Sequence, residues 1–240
     1  MAEDPIKLFS SRAERYPEPD EADAAYGAAR AALAAIPGLG GSITEVLSIV
    51  LAPAVARRRD EWFKELADAL DQVEAKVEGF RVENLAGNEA FVSATVQATR
   101  AAAATHQQKK REYLRNALVN VALGKQKDEL RQHIFLNAIE AFLPAHVQTL
   151  ELIWRGSARK VPWDQQAIPM SQRNYGTAIG ILNPELKGQP WLTAAILGDL
   201  RNRGFSNLVD PNASFPQGSL MTNLGIEFLN FVLSPEDPPQ

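Results

Sequence analysis

From Trp62 to Trp154 the apolar side chains recur mainly at steps of three and four residues. That spacing gathers them on one face of a 3.6-residue helix and does not fit the two-residue alternation of a half-buried strand. Trp62, Phe63, Leu66, Leu70, Val73, Val77 and Phe80 mark a first stripe, with acidic and basic residues filling much of the remainder. The pattern predicts an amphipathic helix counted from Ser42, with Pro53 removing one ladder donor and Gly79 near its end. A second long helix is expected over about Asn88–Leu123, ended by Gly124. Its middle, ATRAAAAT, is made of small residues that let a neighbouring helix approach closely. A third is expected over about Asp128–Trp154, bent or split at Pro144. Amphipathic helices joined by short turns bury their stripes against one another, which predicts a mainly α protein built on an antiparallel bundle.

Upstream, an Ala-rich helix is expected from Asp20 to Ile36, capped by Asp20 and stopped by Pro37 and Gly38. Residues 1–19 read as a flexible arm, with no basic patch followed by an apolar run at the start. From Ala31 to Ala56 the only charged side chain is Glu45, and Arg57, Arg58 and Arg59 follow at once. A membrane span needs about 20 apolar residues. Pro37, Gly38, Gly40 and Gly41 break this run, and Ser42 with Glu45 has the spacing of a capping box. The reading favoured is two core helices joined by a PGLGG turn. Its rival is an apolar 31–56 hairpin that enters a bilayer on activation, with the arginines at headgroups.

After Trp154 the period is lost. Residues 157–174 read as a linker, 175–234 as a separate module and 235–240 as a tail, so the bundle is assigned 20–156. The module offers a short helix at Tyr175–Leu182, another at Trp191–Arg203, turn-rich residues with a small hairpin expected within 205–222, and a last helix with Ile226, Phe228, Leu229 and Phe231. Asp199-Leu200, Arg203-Gly204-Phe205 and the segment from Leu220 to Leu229 resemble the pattern of a winged-helix module. The fold class expected is therefore a helical bundle followed by a small winged-helix-like α+β module. As DNA readers, Arg201, Asn202 and Arg203 are the candidates on its second helix. From Val161 onward the chain carries only four of its 25 Lys and Arg, so nucleic-acid binding is expected to be weak.

Three segments, IPGLGGSITEVLSIVLAPAVARRRDEW, the Ala-rich helix with KKREYLRNA, and Leu220 to Gly225, resemble those of bacterial alpha-helical abortive-infection (Abi-alpha) proteins. The resemblance implies a phage-defence context and carries over no catalytic residue.

Sites of chemistry are sparse. There is no cysteine, which excludes disulfides, thiolate metal sites and a cysteine nucleophile, and fits a cytoplasmic protein. No phosphate loop, HExxH or nucleophile elbow occurs. Glu129 and His133 share a helix face one turn apart, but a lone pair of this kind is usually a surface contact. No cofactor or metal is expected. The runs Arg57, Arg58, Arg59 and Lys109, Lys110, Arg111 are candidate anion or lipid contacts if the fold brings them together. The expected function is non-enzymatic. The chain would act through a protein partner or self-association, in phage defence. The alternatives are a membrane-active effector and a winged-helix DNA-binding regulator.

Overall fold

The structure, a computed structural model, describes residues 41–126, 128–157, 169, 173–213 and 220–234. The expected arm, the 20–36 helix, the PGLGG turn up to Gly40, most of the linker and the tail lie outside these residues. The described part is mainly helical. It divides into two compact units, one ending at Leu123 and the other beginning at Gly124. The expected boundary was near 156. Instead the helices over 129–157 pack with those that follow them.

In the first unit, α1 spans Gly41–Lys76, α2 Glu89–Ala104 and α3 Gln108–Ala122, with a 3-10 turn at Val82–Gly87 between the first two. The backbone is already helical at Gly41, so Ser42 lies inside the helix and not at its cap, which requires a non-helical backbone. Pro53 sits within α1 without ending it. All three helices pack on one another. Trp62, Leu66 and Leu70 of α1 are buried one turn apart, and α2 meets them with Ala94, Ala98, Ala101 and Ala102. The alanines leave room for the indole, whose Nε1 donates to Thr99 Oγ1 at 3.1 Å. The expected crowded crossing is thus present.

The expected single helix over Asn88–Leu123 is two helices. Thr105, His106 and Gln107 interrupt it. The Thr105 hydroxyl accepts the Gln107 N–H at 3.1 Å, and the Gln107 carbonyl accepts from Lys110 and Arg111, so local bonds replace the helical ladder. Gly124, at φ 66, closes α3 where a side chain would be strained.

The second unit holds α4 (Glu129–Ala141), α5 (Pro144–Ser157), α6 (Tyr175–Leu182), a 3-10 turn at Pro184–Leu186, α7 (Pro190–Asn202) and α8 (Asn223–Val232). Asp128, Asn174 and Thr222 each cap the helix that follows with a side-chain oxygen. The expected split at Pro144 is seen, since Phe142 and Leu143 separate α4 from α5. Helix α5 is central and packs against α6, α7 and α8. Phe135, Phe142, Phe205, Phe228 and Phe231 form one buried cluster, with Phe205 stacked on Phe228 at 4.6 Å. Burying each phenyl contributes about 1.5–3 kcal/mol.

Helix α7 ends in a Schellman turn. The Phe205 N–H returns to Leu200 O at 2.9 Å and the Gly204 N–H to Arg201 O at 2.8 Å, with Gly204 at φ 76. This turn places Phe205 in the cluster and starts the segment that meets Met221. Among the described residues that segment makes a single antiparallel bridge, Ser206 to Met221, and no strand; residues 214–219 of the expected hairpin lie outside the description.

Candidate functional site

The chemistry-bearing residues of the second unit gather around α7. Its inner face, Thr193, Ile196, Leu197 and Leu200, is buried. The outward face carries Trp191, Ala194 and Ala195, all exposed, and then Gly198. Trp191 is 68% exposed, which is unusual for so large an apolar surface. A Cβ built on Gly198 would meet nothing within 4 Å, so the helix offers a shallow, open strip beside the indole.

The three candidate DNA contacts close this helix. Arg201, Asn202 and Arg203 are all exposed. Arg203 holds its guanidinium over the Phe142 ring at 5.2 Å, a cation–π contact that ties it to its own unit. Asp199 is bonded to His146 across the α5–α7 contact, Oδ2 to Nε2, at 3.2 Å.

His146 was not singled out by the sequence. It sits three residues after Leu143, in the first turn of α5, and its Nδ1 accepts the Leu143 N–H at 3.2 Å. This is the reach-back bond of a capping box, made by an imidazole instead of a carboxylate. Because Nδ1 accepts, Nε2 carries the proton and donates to Asp199. The ring lies flat on Phe142, with centroids 4.7 Å apart. Burial pushes the His146 pKa below 6.5, against the opposing pull of Asp199. The Leu143–Pro144 start followed by a histidine was the available signal.

An open cleft of about 750 Å³ lies between α6, the 3-10 turn and the start of α7. Gly176 and Gly180, one turn apart, form its α6 wall, where the Gly176 N–H donates to Pro211 O at 2.7 Å. Among the described residues Lys187 is the one charged side chain that lines it. In the same unit, burial raises the Tyr175 pKa, so the phenol stays protonated at neutral pH.

The two basic runs belong to the first unit, and the fold does bring them together. Glu61 takes Arg57 Nε at 3.8 Å through one oxygen and Arg111 Nη1 at 3.2 Å through the other. Glu65 takes Arg111 Nη2 at 3.2 Å. Arg59 is held by Asp60, and Lys109 by Glu112 at 2.7 Å. Lys110 is also engaged, and Arg58 is half-buried. The cations meet with carboxylates between them, which leaves a locally neutralised seam and not a bare basic patch.

Among the described residues no group of acidic or histidine side chains could hold a metal ion. Glu129 and His133 are both exposed on α4. No helix of the described residues is long and apolar enough to cross a membrane. Comparison with protein-family models, curated proteins and solved structures finds no match.

Proposed function

We propose that this chain is a non-enzymatic helical protein that works through protein contacts, with a winged-helix-like second unit that docks a helix of a partner on the outward face of α7. The observation that carries the reading is the make-up of that face: an exposed tryptophan followed by Ala194, Ala195 and Gly198. A helix that reads DNA needs long polar or cationic side chains there. Small residues beside an aromatic anchor suit the close approach of another helix, and such anchors dominate protein interfaces. The order α6, α7, the Ser206–Met221 bridge, α8 supports a winged-helix-like arrangement. The Abi-alpha resemblance supplies the setting, bacterial phage defence.

The test is a plaque assay in a bacterial host over a panel of phages, with wild type and three variants. Trp191→Ala and Gly198→Arg should abolish protection while leaving the circular dichroism spectrum unchanged. Arg201→Ala should protect like wild type. Protection that survives both face variants, or that is lost only with Arg201→Ala, overturns the docking reading. Absence of protection by wild type removes the defence setting.

A further inference from the structure

The corner between α4 and α5 is closed by one titratable side chain. Phe142 and Leu143 leave the helical ladder, and the first N–H of the new helix start is taken by His146 Nδ1. Only the neutral ring can do this, because the bond uses the Nδ1 lone pair. Nε2 is occupied by Asp199, so the ring has no second acceptor to offer. The His146 side chain is 7% exposed, which holds the ring in place, whereas Leu143 is 52% exposed, so its N–H opens to solvent once the bond to the ring is lost.

We propose that His146 is an acid-sensitive latch on this corner: a proton from solvent adds to Nδ1, sets two N–H groups against each other, and releases the Phe142–Leu143 corner and the first turn of α5.

The charged groups around the ring decide how hard the latch resists. From α7, Asp199 favours the imidazolium and Arg203 opposes it. Helix α6 carries no titratable side chain except Tyr175, and the one carboxylate of α8, Glu227, faces Arg131 at 3.3 Å. The positive end of the α5 dipole also disfavours a cation in the first turn. Burial is the largest influence and acts against the charge. The folded-state pKa therefore lies below the unfolded 6.5. Stability from the neutral ring is fully present above pH 6.5 and is lost as pH falls through the folded value. Asp199 keeps its hold on Nε2 in either state, so release is confined to the cap side, and α7 stays attached.

The experiment is an NMR titration of the full chain from pH 7.5 to pH 4.5, reading the three histidine Cε1–H resonances and the exchange protection of the Leu143 amide. His146→Gln identifies the His146 signal. Its amide offers an oxygen to Leu143 and an NH₂ to Asp199 without titrating, so it should hold the corner closed at all pH values. In wild type the His146 signal should titrate below 6.5, and Leu143 protection should fall at least tenfold in step with it. Asp199→Asn should move the titration lower still. A His146 that titrates at or above 6.5, or Leu143 protection that is unchanged as the ring protonates, overturns the latch. Equal loss of protection in His146→Gln also overturns it, because the acid sensitivity would then belong to another group.

Discussion

Two glycines in helices of the second unit should respond oppositely to the same substitution. Gly198→Ala adds a methyl group to α7 in open space, with nothing within 4 Å. Alanine is favoured over glycine in a helix by about 1 kcal/mol, so this variant should gain roughly 0.5–1 kcal/mol. Gly225 is buried in the first turn of α8, where its N–H is taken by Thr222 Oγ1 at 2.9 Å. A Cβ there would overlap the Phe205 carbonyl oxygen and lie 3.0 Å from its carbon, with Met221 Cε at 3.1 Å. The contacts on the oxygen side are backbone, which cannot swing aside as a flexible side chain can. Helix α8 must lift off the 205–206 segment, and the Phe205–Phe228 stack goes with it. Overpacking of this kind costs about 1–3 kcal/mol, more than the propensity gain returns. Gly225→Ala should therefore be less stable by about 1–2 kcal/mol, and the two variants should differ by about 1.5–3 kcal/mol. Equilibrium urea unfolding, read by amide exchange in the second unit, measures both. A Gly225→Ala as stable as wild type would refute the close approach of α8 to the Phe205 backbone, and a destabilised Gly198→Ala would refute the open α7 face.

Other outcomes follow from the packing. Trp62→Ala should destabilise the first unit by about 3–5 kcal/mol, since the indole is fully buried among the α2 alanines; a loss under 1 kcal/mol in a thermal melt would contradict that placement. Thr149 is fully buried with a hydroxyl that has no partner among the described residues, so Thr149→Val should be neutral or stabilise by about 1 kcal/mol in urea, whereas a clear loss would mean the hydroxyl is bonded. Arg111→Met should cost on the order of 1–2 kcal/mol, discounted because Glu61 is half exposed, and added salt should shrink that cost; a salt-independent loss would point to packing of the side-chain stem instead. Gel shifts with duplex DNA at ~0.15 M salt should show little binding at micromolar protein, because the chain carries only four of its 25 Lys and Arg from Val161 onward to release counterions; tight, sequence-selective binding would favour the regulator reading.

The helices were legible because their stripes are long and regular: the reading from Trp62 to Leu70 and the split at Pro144 both rest on spacing and proline geometry. The α2–α3 break was not legible in the same way. Thr105-His106-Gln107 contains no proline or glycine to mark a helix end, and the bond from the Gln107 N–H to the Thr105 hydroxyl that accompanies the break is visible only in the fold. The Ser42 cap failed because a capping-box spacing does not require a helix end at that place. The division at Gly124 was masked because the three long helices read as one bundle, while the phenylalanines that decide the second unit come from α4, from the 205 turn and from α8 together. The basic runs were seen, but the carboxylates that neutralise them depend on which helices meet. His146 went unmarked because its role needs Leu143 one turn before it and Asp199 far along the chain.

The central claim is that the outward face of α7 meets a protein. The most direct measurement places a photo-crosslinking amino acid at Ala195 of the full chain in cells, with a second probe at the exposed Glu185 as a reference for random collision. A discrete protein adduct is expected at position 195, absent at 185, lost when Trp191→Ala is added, and mapped by mass spectrometry to a helix of the adduct partner. Adducts to nucleic acid at position 195, or a yield there no higher than at 185, would contradict it.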